Sequence, residues 1–440
     1  MTVASPQSRQ TTAERRPVRR RAWVITFLLF AFMLLNFADK AVLGFAGAEF
    51  KRELGISAQQ FGILQSSFFW LFAVGALALG ALTARVKVRW LAGGLMLLWI
   101  AAMAPLLGPV GFGTVLVCRI VLGFAEGPAY ALCTHIVHSW FPPEKRGVPG
   151  GLVTAGASVG PLIAAPLLTS VIARWSWHAA FGVLIGAGTV WLIAWLVLSE
   201  DPPESGTTTV TAGVFSEDAL PVQAPLRVLL TTRTVMGIAL LTAFAYLATT
   251  LKVAWLPLYL SEGLGYGTVA GGWLITMPYA VAAVAAIGAG LVSNRLTMRG
   301  VSRRITRGYL ACGLVVLAGA SMDLFTVIDS RPLQMVFITL AFSMNSAAYA
   351  VAFIAVGDVV HPEQRGGVLG CVAAFYSLAG ILAPLLLGHL VDAAPSDGIG
   401  YGRGFATIGI LMVAGGALAL TLVRPESDLA RIRERVGGTR

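Results

Sequence analysis

The sequence predicts an all-α membrane protein, with twelve transmembrane helices in two six-helix bundles and both termini in the cytoplasm. Three observations lead there. The 440 residues are 57% hydrophobic and 12% charged, with mean hydropathy +0.78, about half the charge of an average soluble domain. The apolar residues fall into twelve runs, each near the roughly 20 residues a helix needs to cross a bilayer at about 1.5 Å per residue. Short motifs in the first six runs recur in the last six. With 32 Lys and Arg and 21 Asp and Glu, a soluble globule of this size would lack polar surface, so lipid takes its place.

The runs lie near 22–46, 59–83, 90–107, 112–139, 149–172, 178–198, 233–260, 269–292, 305–328, 332–358, 367–391 and 403–423. The first follows Arg19, Arg20 and Arg21. At about 25 residues it exceeds the roughly 7–15 of a signal-peptide core, and it contains Asp39 and Lys40, so it reads as a retained helix. The second stops at the basic turn around Arg85 and Arg89, and the third at Gly108-Pro109. The fourth stops at Pro142-Pro143-Glu144-Lys145-Arg146, the fifth at Arg174 and the sixth before Asp201-Pro202-Pro203. Arg233 opens the seventh, Asn294-Arg295 closes the eighth, and Arg303 and Asp329 bracket the ninth. Arg331-Pro332, Arg365-Gly366 and Arg403 precede the last three.

Residues 199–232, rich in Pro, Thr, Ser and acid, divide the chain into a bundle over 22–198 and a bundle over 233–423, flanked by tails at 1–21 and 424–440. Pro143-Glu144-Lys145-Arg146-Gly147 returns as Pro362-Glu363-Gln364-Arg365-Gly366, an offset of 219. Ala165-Pro166-Leu167-Leu168 returns as Ala383-Pro384-Leu385-Leu386, and Gly80 and Gly290 each precede a short basic loop. Two similar halves are the layout of a transporter with its site at the midplane between them.

With the N-terminus placed in the cytoplasm, 24 Lys and Arg fall on that side, 5 on the other and 3 inside spans. The positive-inside rule accepts that orientation and no other. The net charge of +11 is therefore topological and needs no nucleic-acid partner. Cys118, Cys133, Cys312 and Cys371 sit singly in apolar runs, without the spacing of a disulfide framework or a zinc site.

The chain resembles the major facilitator superfamily over residues 22–423. The signature is Arg119-x3-Gly123-x2-Glu126-Gly127-Pro128, followed by Trp140-Phe141-Pro142-Pro143-Glu144-Lys145-Arg146-Gly147. With Asn36-Phe37-x-Asp39-Lys40 and Trp255-Leu256-Pro257-x-Tyr259-Leu260, it is similar to the anion:cation symporter branch, whose members include sugar-acid, organic-acid and vesicular anion carriers. The resemblance implies transport by alternating access and no enzymatic activity. It also implies a conformational loop at Gly80, Arg85 and Arg89, with Arg146 in the matching loop of the fourth and fifth helices. Here the chain departs from the family, with Ala84 in place of the loop acid and Lys87 in place of its second glycine. Lys40 stands where the branch more often has Arg, keeping the charge but not the planar fork.

An ionisable group at the bilayer centre costs at least about 2.5–3.5 kcal/mol, which makes such residues functional candidates. Lys40, Arg119 and Lys252 lie about 9–12 Å below the outer surface and Glu126 about 21 Å below, at about 1.5 Å per residue. Three cations in one layer suit an anionic substrate, and Arg119 can grip a carboxylate through two bonds. Asp39 and Glu126 are the candidate proton carriers. The 219 offset pairs Glu126 with Asn345 and Tyr130 with Tyr349. Gln65, Tyr279 and Tyr376, with Asn36, Thr154 and Ser158, are candidate cavity residues. Arg119 and Glu126, two turns apart, share a face that Gly123 and Gly127 are expected to keep open to substrate.

Each assignment has a structural alternative. Arg119 and Glu126 as a plain ion pair, Lys252 snorkelling to the interface, Asp39 neutralising Lys40, and the polar residues serving helix packing are all open at this stage. Asp323, Asp358 and Asp392, near span ends, read as interfacial, as do His135 and His138, which lack a third metal ligand. The leading expectation is an importer of a small organic anion, a carboxylate, by proton symport. It needs no metal or cofactor and sits as a multi-pass monomer in the cell membrane. The competing expectation is a proton-coupled drug or metabolite exporter, suggested by Gly156-x3-Gly160-Pro161 in the fifth helix. No Walker loop, GxSxG, HExxH or dinucleotide fingerprint supports an enzyme.

Overall fold

The computed structural model describes residues 15–82, 86–142, 145–200 and 223–437. The first half comprises α1 (Arg15–Phe45), α2 (Gly47–Leu54), α3 (Ala58–Ser67), α4 (Phe72–Leu82), α5 (Val88–Met103), α6 (Phe112–Glu126), α7 (Ala129–Trp140), α8 (Gly147–Arg174) and α9 (Trp177–Leu198). The second comprises α10 (Leu226–Leu230), α11 (Arg233–Ala254), α12 (Leu256–Leu258), α13 (Thr268–Met298), α14 (Leu310–Val327), α15 (Arg331–Val359), α16 (Arg365–Asp392), α17 (Asp397–Leu422) and α18 (Pro425–Gly437). Among the described residues, twelve spans are long and apolar enough to cross a membrane, and each overlaps one of the runs read from the sequence.

The ends differ for local reasons. The seventh span stops at Ala254 rather than 260, because Pro257 cannot donate to the helix ladder and the chain passes into a π-turn at Tyr259–Gly263. The twelfth begins at Asp397, so Arg403 lies within a helix and not in an outer loop. The fourth span divides into α6 and α7 at Gly127-Pro128 for the same reason as the seventh. Arg85 lies outside the described residues, as do 201–222 of the linker.

Aromatic side chains fill the interior of the first half. Phe32 stacks on Trp99 at 4.5 Å and Trp191 on Trp195 at 5.2 Å. The Trp191 and Trp195 indoles donate to the Leu28 and Arg89 carbonyls at 2.7 and 2.9 Å, which satisfies both buried N–H groups. Arg89 in turn donates to the Leu196 carbonyl, joining α5 to α9 within its own half.

The internal repeat is visible as geometry. Arg146 donates through Nε to the Phe141 carbonyl at 2.9 Å, and Arg365 through Nε to the Val360 carbonyl at 3.0 Å. Donors and acceptors are both related by the 219 offset. Asp358, expected at the interface, is instead buried 3.4 Å from Arg307 and also faces Arg303 and Arg365. Three arginines around one acid offset its desolvation, which explains a carboxylate inside the helix bundle.

The halves meet mainly through α3 against α16 and α8 against α13. Contact is backbone to backbone where glycine permits it. A Cβ on Gly62 would sit 2.5 Å from the Pro384 carbonyl oxygen, and one on Gly388 2.6 Å from that of Ala58. The N-terminus of α3 carries a capping box, with Ser57 accepting from the Gln60 N–H and Gln60 from the Ser57 N–H. Asp392 reaches across from α16 to accept from the Ala58 and Gln59 N–H groups at 2.9 and 2.8 Å. Lys51 pairs with Glu262 at 3.1 Å, and Tyr401 donates to the same carboxylate at 3.0 Å. All these contacts lie on the side away from the termini, whereas Tyr130 in the terminal-side half of the fourth span is 53% exposed. The molecule is closed on the former side and open toward the latter.

Replacing Gly62 with Leu should hold that closed side apart, since the Pro384 carbonyl cannot retreat without moving α16. A cysteine placed at Ala58, buried in this contact, is expected to react with membrane-impermeant maleimide severalfold faster in the Gly62→Leu background. Unchanged labelling would mean that the glycine contact does not set closure.

Candidate functional site

The charges of the first half converge where α1, α3 and α6 meet. Asn36 and Lys40 are one turn apart on α1, so both face α6. Asn36 donates through Nδ2 to Glu126 Oε2 at 2.8 Å and accepts from Lys40 Nζ at 2.6 Å. Lys40 also lies 3.3 Å from Glu126 Oε2. Asp39 is buried, with Glu126, Arg119 and Lys40 as its charged neighbours, and neither carboxylate oxygen has a hydrogen-bond partner. Arg119 donates to Gln65 Oε1 at 3.3 Å, and Gln65 reaches the Ala254 carbonyl in the other half at 3.5 Å. Phe68 lies under both cations, 4.9 Å from the Arg119 guanidinium and 5.6 Å from Lys40 Nζ, with Phe37 at 4.4 Å from Lys40. Such contacts help hold a desolvated cation without neutralising it.

Arg119 and Glu126 are therefore not joined as an ion pair. Glu126 is bound by α1 and Arg119 by Gln65, which leaves Glu126 Oε1 and Arg119 Nε without partners. Gly123 and Gly127 play a different part from the one expected of them. A Cβ on either would overlap the Phe68 or Phe72 carbonyl, so they let the second span pack on the fourth and do not open a face to substrate. Gly156 and Gly160 likewise lie against Met33 and the Leu34 carbonyl of α1, at 2.7 Å from an added Cβ in each case.

The second half presents its own polar layer. Lys252 is buried and does not snorkel to lipid. Its Nζ donates to the Phe342 carbonyl at 3.0 Å and lies 4.6 Å from the centre of the Tyr279 ring. Asn345 donates to Thr249 Oγ1 at 2.8 Å and to the Ala245 carbonyl at 3.3 Å. The tenth span thus bonds to the seventh as the fourth bonds to the first. Asn345 Oδ1 and the Tyr279 hydroxyl are buried without partners. Tyr349 donates to the Thr242 carbonyl at 3.1 Å, and its ring is 6.1 Å from that of Tyr376. Tyr376 also packs on Tyr246 at 4.7 Å and has Tyr130, across the halves, as a neighbour.

The two layers are brought together by close packing of α1 on α11. A Cβ on Gly44, one turn beyond Lys40, would overlap the carbonyl of Val253, next to Lys252. Two largely buried polar layers, Asp39, Lys40, Arg119 and Glu126 in the first half and Lys252 with Asn345 in the second, thus approach each other where α1 packs on α11. Thr154 and Tyr130 bond to each other at 3.3 Å on the open side. Sequence reading missed Phe68, Phe69 and Tyr246. Phe69 meets Tyr246 across the halves at 5.9 Å and lies against Gly380, and nothing marks it apart from other apolar residues of its span.

Two six-span bundles with buried opposite charges at their junction have the layout of a membrane transporter. The model of the Major Facilitator Superfamily matches residues 28–356. The chain belongs to that superfamily and is a multi-pass membrane transporter. It is 25% identical to a probable galactarate/D-glucarate transporter of Bacillus subtilis, covering 92% of this chain and 94% of that one. It is 25% identical to a hexuronate transporter of the same organism, covering 91% and 94%. It is 27% identical to a D-galactonate transporter of Escherichia coli, covering 95% and 98%. Among solved structures, a bacterial homologue of the human lysosomal transporter Spinster, inward-facing and unoccupied, superimposes with a TM-score of 0.77 at 15% identity over 94% of this chain and 98% of that one. The D-xylose-proton symporter does so with 0.72 at 13% identity over 92% and 99%.

Proposed function

We propose that the protein imports a sugar acid together with protons across the cell membrane, with its termini in the cytoplasm and as a monomer. The observation that carries this reading is the buried quartet of Asp39, Lys40, Arg119 and Glu126. Fully ionised, it is neutral. One proton on either acid leaves it at +1, and a bound carboxylate returns it to neutrality. Net charge in a low-dielectric interior is costly, so the closed, occluded arrangement favours either the empty deprotonated site or the site holding both proton and anion. That preference is the coupling. Protonation of Glu126 would also release Lys40 and Asn36 to the substrate.

The transporters of galactarate, glucarate, hexuronate and galactonate that the chain is similar to support a polyhydroxylated acid as the substrate. The unpartnered Tyr279 hydroxyl and Asn345 Oδ1 offer a donor and an acceptor for its hydroxyl groups. Gly156 and Gly160, the glycines behind the exporter reading, pack against α1. A thermal-shift screen of sugar acids against the purified protein tests the assignment. A cognate acid at 100 times its dissociation constant should stabilise by about 2.7 kcal/mol, and neutral sugars should not stabilise at all. Stabilisation by the neutral sugars alone would overturn it.

Lys252 supplies the cation on the far side of the cavity. Lys252→Gln should therefore weaken a six-carbon diacid by about tenfold or more, the value of one lost hydrogen bond to a charged group. The matching monoacid should change little. Competition binding with glucarate and galactonate reads this directly, and an equal loss for both would place Lys252 outside the contact.

A further inference from the structure

A second candidate binding site lies far from the cavity, on the outer face of the second half. The start of the ninth span and the end of the twelfth enclose a groove of about 520 Å³, open to the surface and lined by Arg304, Tyr309, Gly313, Leu420, Thr421 and Arg424. The helices α14 and α17 pack on each other and on α11, and make no substantial contact with the first half, so the groove faces away from the transport path. Arg304 opens the ninth span at Arg304–Val327, and Arg424 follows the twelfth, which ends at Leu422. Both guanidinium groups therefore stand where hydrocarbon gives way to headgroups, on the side that carries the termini.

Among the described residues, neither guanidinium forms an ion pair with an acid. Arg304 Nε and Arg424 Nε are buried atoms without hydrogen-bond partners. Glu426 accepts from the Arg304 backbone N–H at 3.2 Å and not from its side chain. The Arg304 guanidinium instead lies 5.3 Å from the Tyr309 ring, which orients it without satisfying it. Below the arginines the groove is apolar. Gly313 leaves its floor open, with nothing within 4 Å of where a Cβ would be. Leu317 and Leu324 continue the same face of α14, and Ile410 and Leu418 stand exposed on α17.

Two guanidinium groups, each with a buried Nε that lacks a partner, above an apolar channel at the end of the spans match a phosphate carrying acyl chains. We propose that this groove binds an anionic phospholipid from the leaflet on the terminal side, its phosphodiester held by Arg304 and Arg424 and an acyl chain laid over Gly313. Bidentate geometry makes arginine suited to a phosphate, and basic pockets between spans on this side are a recognised form of lipid site.

Native mass spectrometry of the full chain, exchanged into equal phosphatidylglycerol and phosphatidylcholine, tests this. The protein should retain phosphatidylglycerol over phosphatidylcholine by about tenfold or more, given two arginines near the surface. The paired Arg304→Gln and Arg424→Gln variant should lose that preference. Gly313→Leu should also lose the lipid while keeping both charges, and its side chain points into open space, so folding is preserved. Inorganic phosphate should not displace the lipid. Equal retention of the two lipids, unchanged retention in both variants, or displacement by inorganic phosphate alone would each overturn the assignment. All readouts are independent of transport.

Discussion

Arg119→Ala should abolish substrate binding. Arg119 is the one buried guanidinium in the quartet, and its Nε is without a partner while Nη2 donates to Gln65. That arrangement leaves a donor edge for a carboxylate beside the barrier between the halves. A charge-assisted pair of hydrogen bonds contributes at least about 3 kcal/mol, or roughly a hundredfold in affinity. The loss also leaves Asp39 and Glu126 with Lys40 as their only local cation, which raises the cost of bringing in an anion. Arg119→Lys should recover part of the affinity, because the charge returns without the fork. Isothermal titration with galactonate or glucarate distinguishes these outcomes. Normal affinity in Arg119→Ala would remove the carboxylate clamp from the account.

Glu126→Gln should separate exchange from accumulation. The side chain keeps its shape and an acceptor for the Asn36 amide, but it can no longer gain or lose a proton. The quartet is then held at +1, ready for an anion in both directions and unable to return empty without a net charge. Counterflow of substrate across proteoliposomes should continue near its usual rate. Uptake against a gradient, driven by an inward proton gradient, should fall to background. The counterflow measurement guards against simple misfolding, which would remove both. Both variants break the buried Lys40–Glu126 pair, at about 3–5 kcal/mol, but Glu126→Ala also removes the acceptor for the Asn36 amide and leaves a cavity, so it should be the less stable of the two. Driven uptake surviving in Glu126→Gln would move the coupling role to Asp39.

The parts of this fold that depend on composition were readable from the chain. Twelve apolar runs require only hydropathy and length, and buried charges stand out because so few occur in them. Pairings between distant spans were not readable. Asn36 bridging Lys40 to Glu126 depends on the register between α1 and α6, and hydrophobic pattern does not specify that register. Asp392 looked interfacial at a span end, and it caps a helix that begins more than three hundred residues earlier in the chain. Gly123 and Gly127 show the same limit. Glycine announces a close approach, but whether the neighbour is a ligand or another helix is decided by packing. The repeat did transfer, since Arg146 and Arg365 make matching bonds and Asn345 takes the place of Glu126 toward the seventh span.

The central claim is that entry of a sugar acid is driven by protons through the buried quartet. The direct test is uptake of radiolabelled galactonate and glucarate into proteoliposomes with an imposed inward proton gradient, compared with no gradient and with a sodium gradient. Accumulation of at least one of the two acids with the proton gradient alone, lost in both Arg119→Ala and Glu126→Gln, is the predicted result. Accumulation that follows sodium, that requires an outward proton gradient, or that persists in both variants would contradict it.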